Sequence, residues 1–443
     1  MLSAVQQQIQ KFSGTLQAAR PANSFQYNAK AATRSLTGPV NDIFTRSTFS
    51  AKFAGAGSVN GITASSVPLS QNGLRLLTVM QDIRKAGNTV QPFFDLDGTL
   101  DRKRWKLNNR GEQAKNYEDA VDIETSDLIF RSESQDMIRR LISLEKVDTT
   151  VHTARDWEVN PGEITPEQAQ QFGIEPREGK LKEPLNQVYH LMPVLKELMT
   201  ENAPITVMTM MGAYVAKPDD NGLAVLSSQP KDNEKVAAQW IFNTLVDEGL
   251  LKSEAVKDNP LFYKSSDDKN AYLEVKSAAL CYHGTFVDDN HPLTTRYMEL
   301  MEEAKEKFKV DYEIHNSGVH GVSELEAVPS TYNKGLGLNS QIKDNHVPFM
   351  FGDSGSDVAG GVEAIKNGGY FVLIAKPKGS ETLDALVKRI FKDDELYAEY
   401  GKHEHLIVLQ DPAELTKTLS QLPESAEDDL STSSLQQMAS KSS

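Results

Sequence analysis

Two acids stand two residues apart in "PFFDLDGTLD", where Asp95 and Asp97 follow an apolar run. On an extended chain such residues lie on the same side, so the pair can serve one reacting group. A carboxylate at a strand end can attack phosphorus to give an aspartyl phosphate, and a second acid beside it can exchange a proton with the leaving oxygen. Gly98 lets the chain turn closely past a phosphate, and Thr99 adds a hydroxyl. Taken alone the stretch also reads as a calcium-loop fragment or an Asp-Gly turn. No Glu closes a calcium loop at the required spacing, however, since Glu112 comes late.

Two carboxylates facing a dianionic ester repel it, so the chemistry demands a cation. A hard ion such as Mg²⁺, held by few carboxylates and sharing the phosphate oxygens, suits oxygen ligands. "GDSGSD" supplies them, with Asp353 and Asp357 around a turn that Gly352 and Gly355 tighten. Lys334 in "YNKGLGL", at an expected helix start, is the candidate for the remaining positive charge, with Lys343 as its competitor.

Elements must bring these residues to one edge. From about Leu74 to Leu422 strand and helix patterns alternate: "TVQPFFDL" reads as a buried strand, "SQDMIRRLISLEK" as a helix from Ser134, and "VDTTVHT" as a second strand. A helix follows in "NQVYHLMPVLKELMT" and a strand in "PITVMTMMGAYV". "VPFMFGDSGSDVAGGVEAIKNGGYFVLIA" then reads as strand, acidic turn, helix and strand. This is the pattern of an α/β fold with a parallel sheet, in which ligands bind outside the carboxyl ends of the strands. Both acidic turns therefore fall on the ligand-binding edge.

The composition fits two globular units in a chain of 443 residues with 39% hydrophobic and 25% charged residues. No apolar run approaches the roughly eighteen residues of a membrane span, and the N-terminus lacks the apolar segment of a secretory signal peptide. The single cysteine, Cys281, excludes an internal disulfide and reads as a small buried residue. The net charge of -15 is uneven: residues 1–90 carry nine Lys and Arg against Asp42 and Asp82, or +7, leaving -22 for the rest. An acidic body argues against nucleic acid as a partner. Leu2, Val5, Ile9, Phe12 and Leu16 follow helical spacing in a Ser-, Ala- and Gln-rich leader. That leader reads either as a targeting or secretion signal or as a disordered extension. The chain is accordingly expected in the cytoplasm, or secreted or imported through machinery that reads its tails. A Ser-rich acidic tail, 423–443, is expected to be disordered.

The residues resemble the haloacid dehalogenase superfamily of phosphohydrolases, over Pro92 to Leu422 and with four motifs in the family's order. In that resemblance Asp95 is the nucleophile and Asp97 the acid/base. Thr153 in "VHTARD" holds the phosphoryl group, with Arg155 beside it and Thr209 in "MTMMGAY" as a rival to Thr153. Lys334 is the third motif, and Asp353 and Asp357 are the fourth. Mg²⁺ would bind Asp95, Asp353, Asp357 and the Asp97 main-chain carbonyl. The implied fold is a Rossmann-like core, a parallel sheet with helices on both faces, with a smaller α/β cap inserted between motifs two and three. The expected division is a leader at 1–73, core at 74–213, cap at 214–325, core at 326–422, then the tail.

Within the insertion the chain is similar to trehalose-6-phosphate phosphatases. "LEVKSAALCYHG" matches their Glu-x-Lys strand with a His nine residues after the Glu, here Glu274, Lys276 and His283. "LEAVPSTYNKG" matches their Glu-x-x-Pro before the motif-three Lys, here Glu326, Pro329 and Lys334. Those cap groups would contact sugar hydroxyls, although Glu274 and Lys276 also read as cross-strand partners on a solvated face and His283 as a structural histidine. The sequence departs from that family at Thr285, where an Arg is usual, and in a long insertion after Asp101. The implied activity is a magnesium-dependent phosphomonoesterase acting on a small sugar phosphate such as trehalose 6-phosphate. The alternatives are a secreted bacterial effector phosphatase acting on a host phosphoprotein or phospholipid, and an interaction protein on the same scaffold.

Overall fold

The computed structural model describes residues 69–100, 132–185, 187, 205–219, 222–226, 229–256, 259–268, 271–284, 291–316, 323–375, 377 and 379–430. The leader up to residue 68, the insertion after Asp101, the helix expected over 186–200 apart from Gln187, Thr285 and the tail from 431 lie outside these residues.

The strands are, in chain order, β1 (Thr89–Phe94), β2 (Thr150–His152), β3 (Thr206–Thr209), β4 (Tyr214–Asp219), β5 (Gly222–Leu226), β6 (Leu251–Val256), β7 (Asn259–Ser265), β8 (Tyr272–Val275), β9 (Leu280–Gly284), β10 (Tyr312–Asn316), β11 (Ser323–Pro329), β12 (His346–Gly352), β13 (Tyr370–Ile374) and β14 (Leu406–Leu409). Two sheets result, ordered β14-β13-β12-β1-β2-β3-β4-β5 and β10-β11-β9-β8-β7-β6.

The first sheet is parallel from β14 through β3, and β4 and β5 close its edge antiparallel. Its central strands are buried on both faces and read as continuous apolar runs. Phe94, Phe349 and Phe351 face one side, while Phe93 and Met350 face the other. On the first side lie helices α1 (Gln71–Lys85) and α2 (Ser132–Ser143). A short helix α3 (Pro166–Phe172) precedes the second unit. Pro92 sits mid-strand in β1, where a proline normally breaks the ladder. The backbone shows why it is tolerated. Val90 N–H bonds Lys146 O and Asp95 N–H bonds Phe351 O, so the N–H that Pro92 lacks would point toward β2, and there the pairing is interrupted between Asp148 and Thr150.

The second sheet is antiparallel throughout. One face packs on α4 (Asp232–Asp247) and α5 (Pro292–Phe308) through residues such as Phe242, Leu245, Tyr297 and Leu300. Side chains alternate along each strand, so Leu273, Tyr282, Leu325 and Ala327 enter that core while Glu274, Cys281, His283 and Glu326 fall on the opposite face. The rest of the chain returns to the first sheet as α6 (Lys334–Gln341), α7 (Val358–Lys366), α8 (Leu383–Phe391), α9 (Asp394–Tyr400) and α10 (Pro412–Leu419). α6, α7 and α8 cover its second face and α10 joins α1 and α2 on the first. The fold is thus a Rossmann-like core with helices on both faces and an inserted α/β cap.

Three expectations are corrected. Residues 214–226 pair with the first sheet and β11 with the second, so the cap runs over 232–329 and not 214–325. "PITVMTMMGAYV" is not one strand: Met210 and Met211 take positive φ of 46° and 56°, a conformation few side chains adopt, and the chain reverses into β4. Residues 423–430 of the tail are packed, since Ala426 is fully buried. Arg84, also fully buried, donates from Nη1 to Pro423 O at 2.7 Å, from Nη2 to Glu424 O at 2.8 Å and from Nε to Glu145 O at 2.8 Å. Gln81 adds bonds to Ala426 O and Asp428 O at 3.0 and 2.6 Å. A composition rule sees polar residues here; it does not see the three carbonyls that one guanidinium satisfies. No helix among the described residues is long and apolar enough to cross a membrane.

Replacing Arg84 with Ala removes the donor from those three carbonyls, and a hydrogen bond to a charged group is worth about 1.5–3 kcal/mol. Arg84→Ala is expected to lower stability by about 3 kcal/mol in urea unfolding monitored by circular dichroism. An unchanged midpoint would mean that the docked tail contributes nothing.

Candidate functional site

The chain leaves β1 for β2 and β3 on one side and later returns through β12, β13 and β14 on the other. The carboxyl ends of β1 and β12 therefore flank the crevice where a ligand site forms in such sheets. Asp95 directly follows β1 and Asp353 directly follows β12. The Asp95 N–H donates to Phe351 O at 2.8 Å, which holds the two strand ends in register.

Between them lies Lys334, the first residue of α6, a helix capped by Asn333 accepting from Leu336 N–H at 2.8 Å. Lys334 Nζ donates to Asp95 Oδ1 at 2.6 Å and to Asp357 Oδ1, with the lysine only 1% exposed. The other Asp357 oxygen, Oδ2, accepts the N–H groups of Asp353 and Ser354, both at 2.9 Å, and the Ser354 hydroxyl at 3.0 Å. One fully buried carboxylate thus fixes both the lysine and the 352–357 loop. Burial works against the Lys334 charge, but Asp357 and Asp95 outweigh it and raise its pKa. Burial pushes Asp95 well above the usual carboxylate range. Lys334 opposes that shift, and Asp357, Asp353 and Asp97 add to it.

Lys343, the alternative to Lys334, pairs instead with Asp148 near the start of β2. Thr153 directly follows β2, next to β1, and is fully buried, its hydroxyl accepting the Arg155 N–H at 3.1 Å. Its rival Thr209 ends β3, one strand farther from β1. Arg155 makes a two-pronged pair with Asp97, Nε to Oδ2 at 3.0 Å and Nη2 to Oδ1 at 2.8 Å, the fork geometry that gives such pairs their directionality. The Thr99 hydroxyl is buried with no hydrogen-bond partner among the described residues.

The oxygens of Asp95, Asp353 and Asp357 lie within 4.8 Å of one another. With Asp97, four carboxylates gather around Lys334 and Arg155 among the described residues. An all-oxygen cluster of this kind fits a hard divalent ion such as Mg²⁺. Gly98 takes a φ of +87°, and a Cβ there would collide with the Asp353 carboxylate.

The cap groups divide into two pairs. Lys276 is ion-paired with Glu326, and its Nζ also donates to Ala154 O at 3.1 Å, reaching the loop that carries Thr153 and Arg155. Glu274 engages His283 Nε2 at 3.2 Å and accepts from Gln187 Nε2 at 2.9 Å. Burial acts to raise the Glu274 pKa, but the Lys276 charge and the bonds from His283 and Gln187 outweigh it and bring it down to about 2. These groups are not exposed partners on a solvated face, because Lys276, His283 and Glu326 are buried. Sequence reasoning passed over Asp156, Gln187 and Ser277, which tie the cap to the core. Only Asp156 carried a signal, as an acid three residues after Thr153.

No protein-family model matches the chain, and no curated protein sequence matches it. Among solved structures it is similar to the trehalose-6-phosphate phosphatase of Aspergillus fumigatus, at 13% identity and a TM-score of 0.42 over 80% of this chain and 98% of that one. The C-terminal domain of the C. albicans trehalose-6-phosphate phosphatase is 14% identical, with a TM-score of 0.41 and shares of 80% and 98%. An IMP-bound mutant of the Plasmodium falciparum IMP-nucleotidase is 15% identical, with a TM-score of 0.33 and shares of 78% and 71%.

Gly98→Ala is expected to cost about 2 kcal/mol through its backbone conformation and to push Asp353 out of the cluster. Mg²⁺ is expected to raise the thermal midpoint of the wild type, and by less in the variant. An equal Mg²⁺ shift in both proteins would remove Asp353 from the ion site.

Proposed function

We propose that the protein is a phosphomonoesterase working through an aspartyl phosphate on Asp95, with Mg²⁺ as its cofactor and a small sugar phosphate as its substrate. The observation that carries this reading is the buried Lys334 ammonium held between Asp95 and Asp357 at the crevice between β1 and β12, next to Asp353. A structural ion pair does not need two further carboxylates crowded around it, whereas a phosphoryl-transfer site does.

The ion would be held by Asp95, Asp353, Asp357 and the Asp97 carbonyl, and when bound it would supply charge neutralisation to the phosphoryl oxygens. Asp95 attacks phosphorus in line with the ester oxygen, a P–O bond to the carboxylate forms, and the bond to the leaving oxygen breaks. Asp97 gives that oxygen a proton. The same carboxylate then takes a proton from water, whose oxygen attacks phosphorus, and the acyl phosphate breaks to release phosphate and restore Asp95. Lys334 and the Thr153 and Thr99 hydroxyls hold phosphoryl oxygens, and electrostatic positioning of this kind accounts for most of the catalysis in phosphoryl transfer. Arg155 grips both Asp97 oxygens in this structure. An incoming dianion competes for the guanidinium fork, and its transfer to the ester frees Asp97 to take up a proton from solvent, which it then gives to the leaving oxygen. The choice of a sugar rests on the cap face turned away from α4 and α5, where Glu274, His283, Lys276 and Glu326 gather polar groups suited to vicinal hydroxyls, and where Lys276 reaches the loop that carries Thr153 and Arg155.

A panel of phosphorylated sugars, nucleotides and phosphopeptides incubated with Mg²⁺ tests the reaction. Wild type should release phosphate from at least one compound and lose that activity on chelation. Asp95→Asn should fall by about a thousandfold or more. Retained activity in Asp95→Asn sinks the nucleophile assignment. For the sugar part, Glu274→Ala should lower kcat/KM on sugar phosphates by about 10- to 100-fold, the worth of one hydrogen bond to a charged group. Unchanged sugar-phosphate turnover would move the substrate to another class.

A further inference from the structure

The loop after β2 alternates its attachments. Thr153 and Arg155 face the core: Thr153 N–H donates to Met208 O at 2.9 Å, Arg155 O accepts from Met210 N–H at 2.6 Å, and the Arg155 side chain grips Asp97. The residues between and after them face the cap. Ala154 O accepts Lys276 Nζ at 3.1 Å. Asp156, fully buried, accepts Ser277 N–H and the Ser277 hydroxyl on Oδ2, both at 2.7 Å, and Trp157 N–H on Oδ1 at 2.7 Å. Its own N–H donates to Gln187 Oε1 at 2.6 Å, and Gln187 donates onward to Glu274.

The partner of Asp156 is a tight turn, closed by Lys276 N–H donating to Ala279 O at 3.0 Å. Ala278 and Ala279 at its tip are fully buried among Met210, Met211, Tyr214 and Trp157. Gln239 of α4 braces the turn from behind, donating to Lys276 O at 2.7 Å and to Ser277 O at 3.1 Å. The turn is therefore a rigid plug, and Asp156 is what receives it.

Withdrawing the plug removes both Ser277 donors from a buried carboxylate. That group tolerates such a loss poorly and must move or admit water. Arg155 is one peptide bond away, and a two-pronged arginine–carboxylate pair does not survive displacement of about 1 Å without losing a prong.

We infer that Asp156 is a positioning residue: by clasping the 276–279 turn it fixes the loop after β2, so that seating of the cap and alignment of the Arg155 fork on Asp97 are one event. This rests on the phosphatase reading for its catalytic consequence, while the clasp itself is a statement about structure alone.

The test is a double-mutant cycle on a small aryl phosphate that makes no use of the sugar contacts. Asp156→Ala is expected to lower kcat by about 10- to 100-fold with KM changed less than about threefold. In an Arg155→Ala background the same substitution should cost less than about twofold more, because coupled residues act as a unit. Effects that multiply fully across the two sites would overturn the inference, since a residue that merely stabilised the fold would act independently of Arg155. If Asp156→Ala does not fold, Ser277→Ala enters the same cycle from the cap side, with the same expectation of non-additivity. If wild type proves to have no phosphatase activity, the reading of the site fails and the clasp is judged by amide hydrogen exchange. Ser277→Ala should then speed exchange at 153–157 as well as at 276–279. Faster exchange confined to the turn would refute the coupling.

Discussion

The structure turns on keeping one lysine charged where there is almost no water. Lys334 is buried to 1% exposure and has no route to solvent for its charge, so Asp95 and Asp357 must be there. Each carboxylate in turn needs a fixed donor set, which Asp357 obtains from the backbone of the 352–357 loop. That loop can form only where Gly352 leaves room for the Asp357 side chain. Leaving a single charge of this group unpaired would cost several kcal/mol, and the group therefore holds the ends of β1 and β12 and the start of α6 together.

The same electrostatics separates what is held from what is free to act. The carboxylates that hold Lys334 also set out an all-oxygen cluster of the kind that fits a hard divalent ion. Around this centre the cap contributes charges of its own, but it spends them internally: Lys276 on Glu326, and Glu274 on His283 and Gln187. A ligand entering between the two units meets groups already oriented by one another, which lowers the entropy lost on binding.

Much of this was legible in the sequence because it depends on local pattern. Asp95 and Asp97 follow a strand that is apolar without alternation, the mark of burial on both faces, and Asp353 and Asp357 sit in a glycine-tightened turn after another such strand. The requirement that carboxylates near a phosphate be offset by a cation pointed to Lys334, and the topology places all of them at one crevice. The boundary of the cap was misplaced because β4 and β5 pair with the first sheet across residues that the sequence shows only as a strand-like run. The tail was misread because its order comes from Arg84 and Gln81, more than 300 positions earlier in the chain.

What the sequence determined by itself is the placement of reactive groups along the chain: residue types and their short-range spacing set which groups lie at strand ends and which side of a strand they take, since backbone geometry has fixed periods. What only the tertiary structure decided is which of these groups touch. The Arg155 fork on Asp97, the pairing of Lys276 with Glu326 and the clasp of Asp156 on Ser277 all join segments that are far apart in the chain or on neighbouring strands. Such contacts depend on strand order and on the burial that makes an unpaired charge costly, and neither quantity is a property of any local stretch of residues.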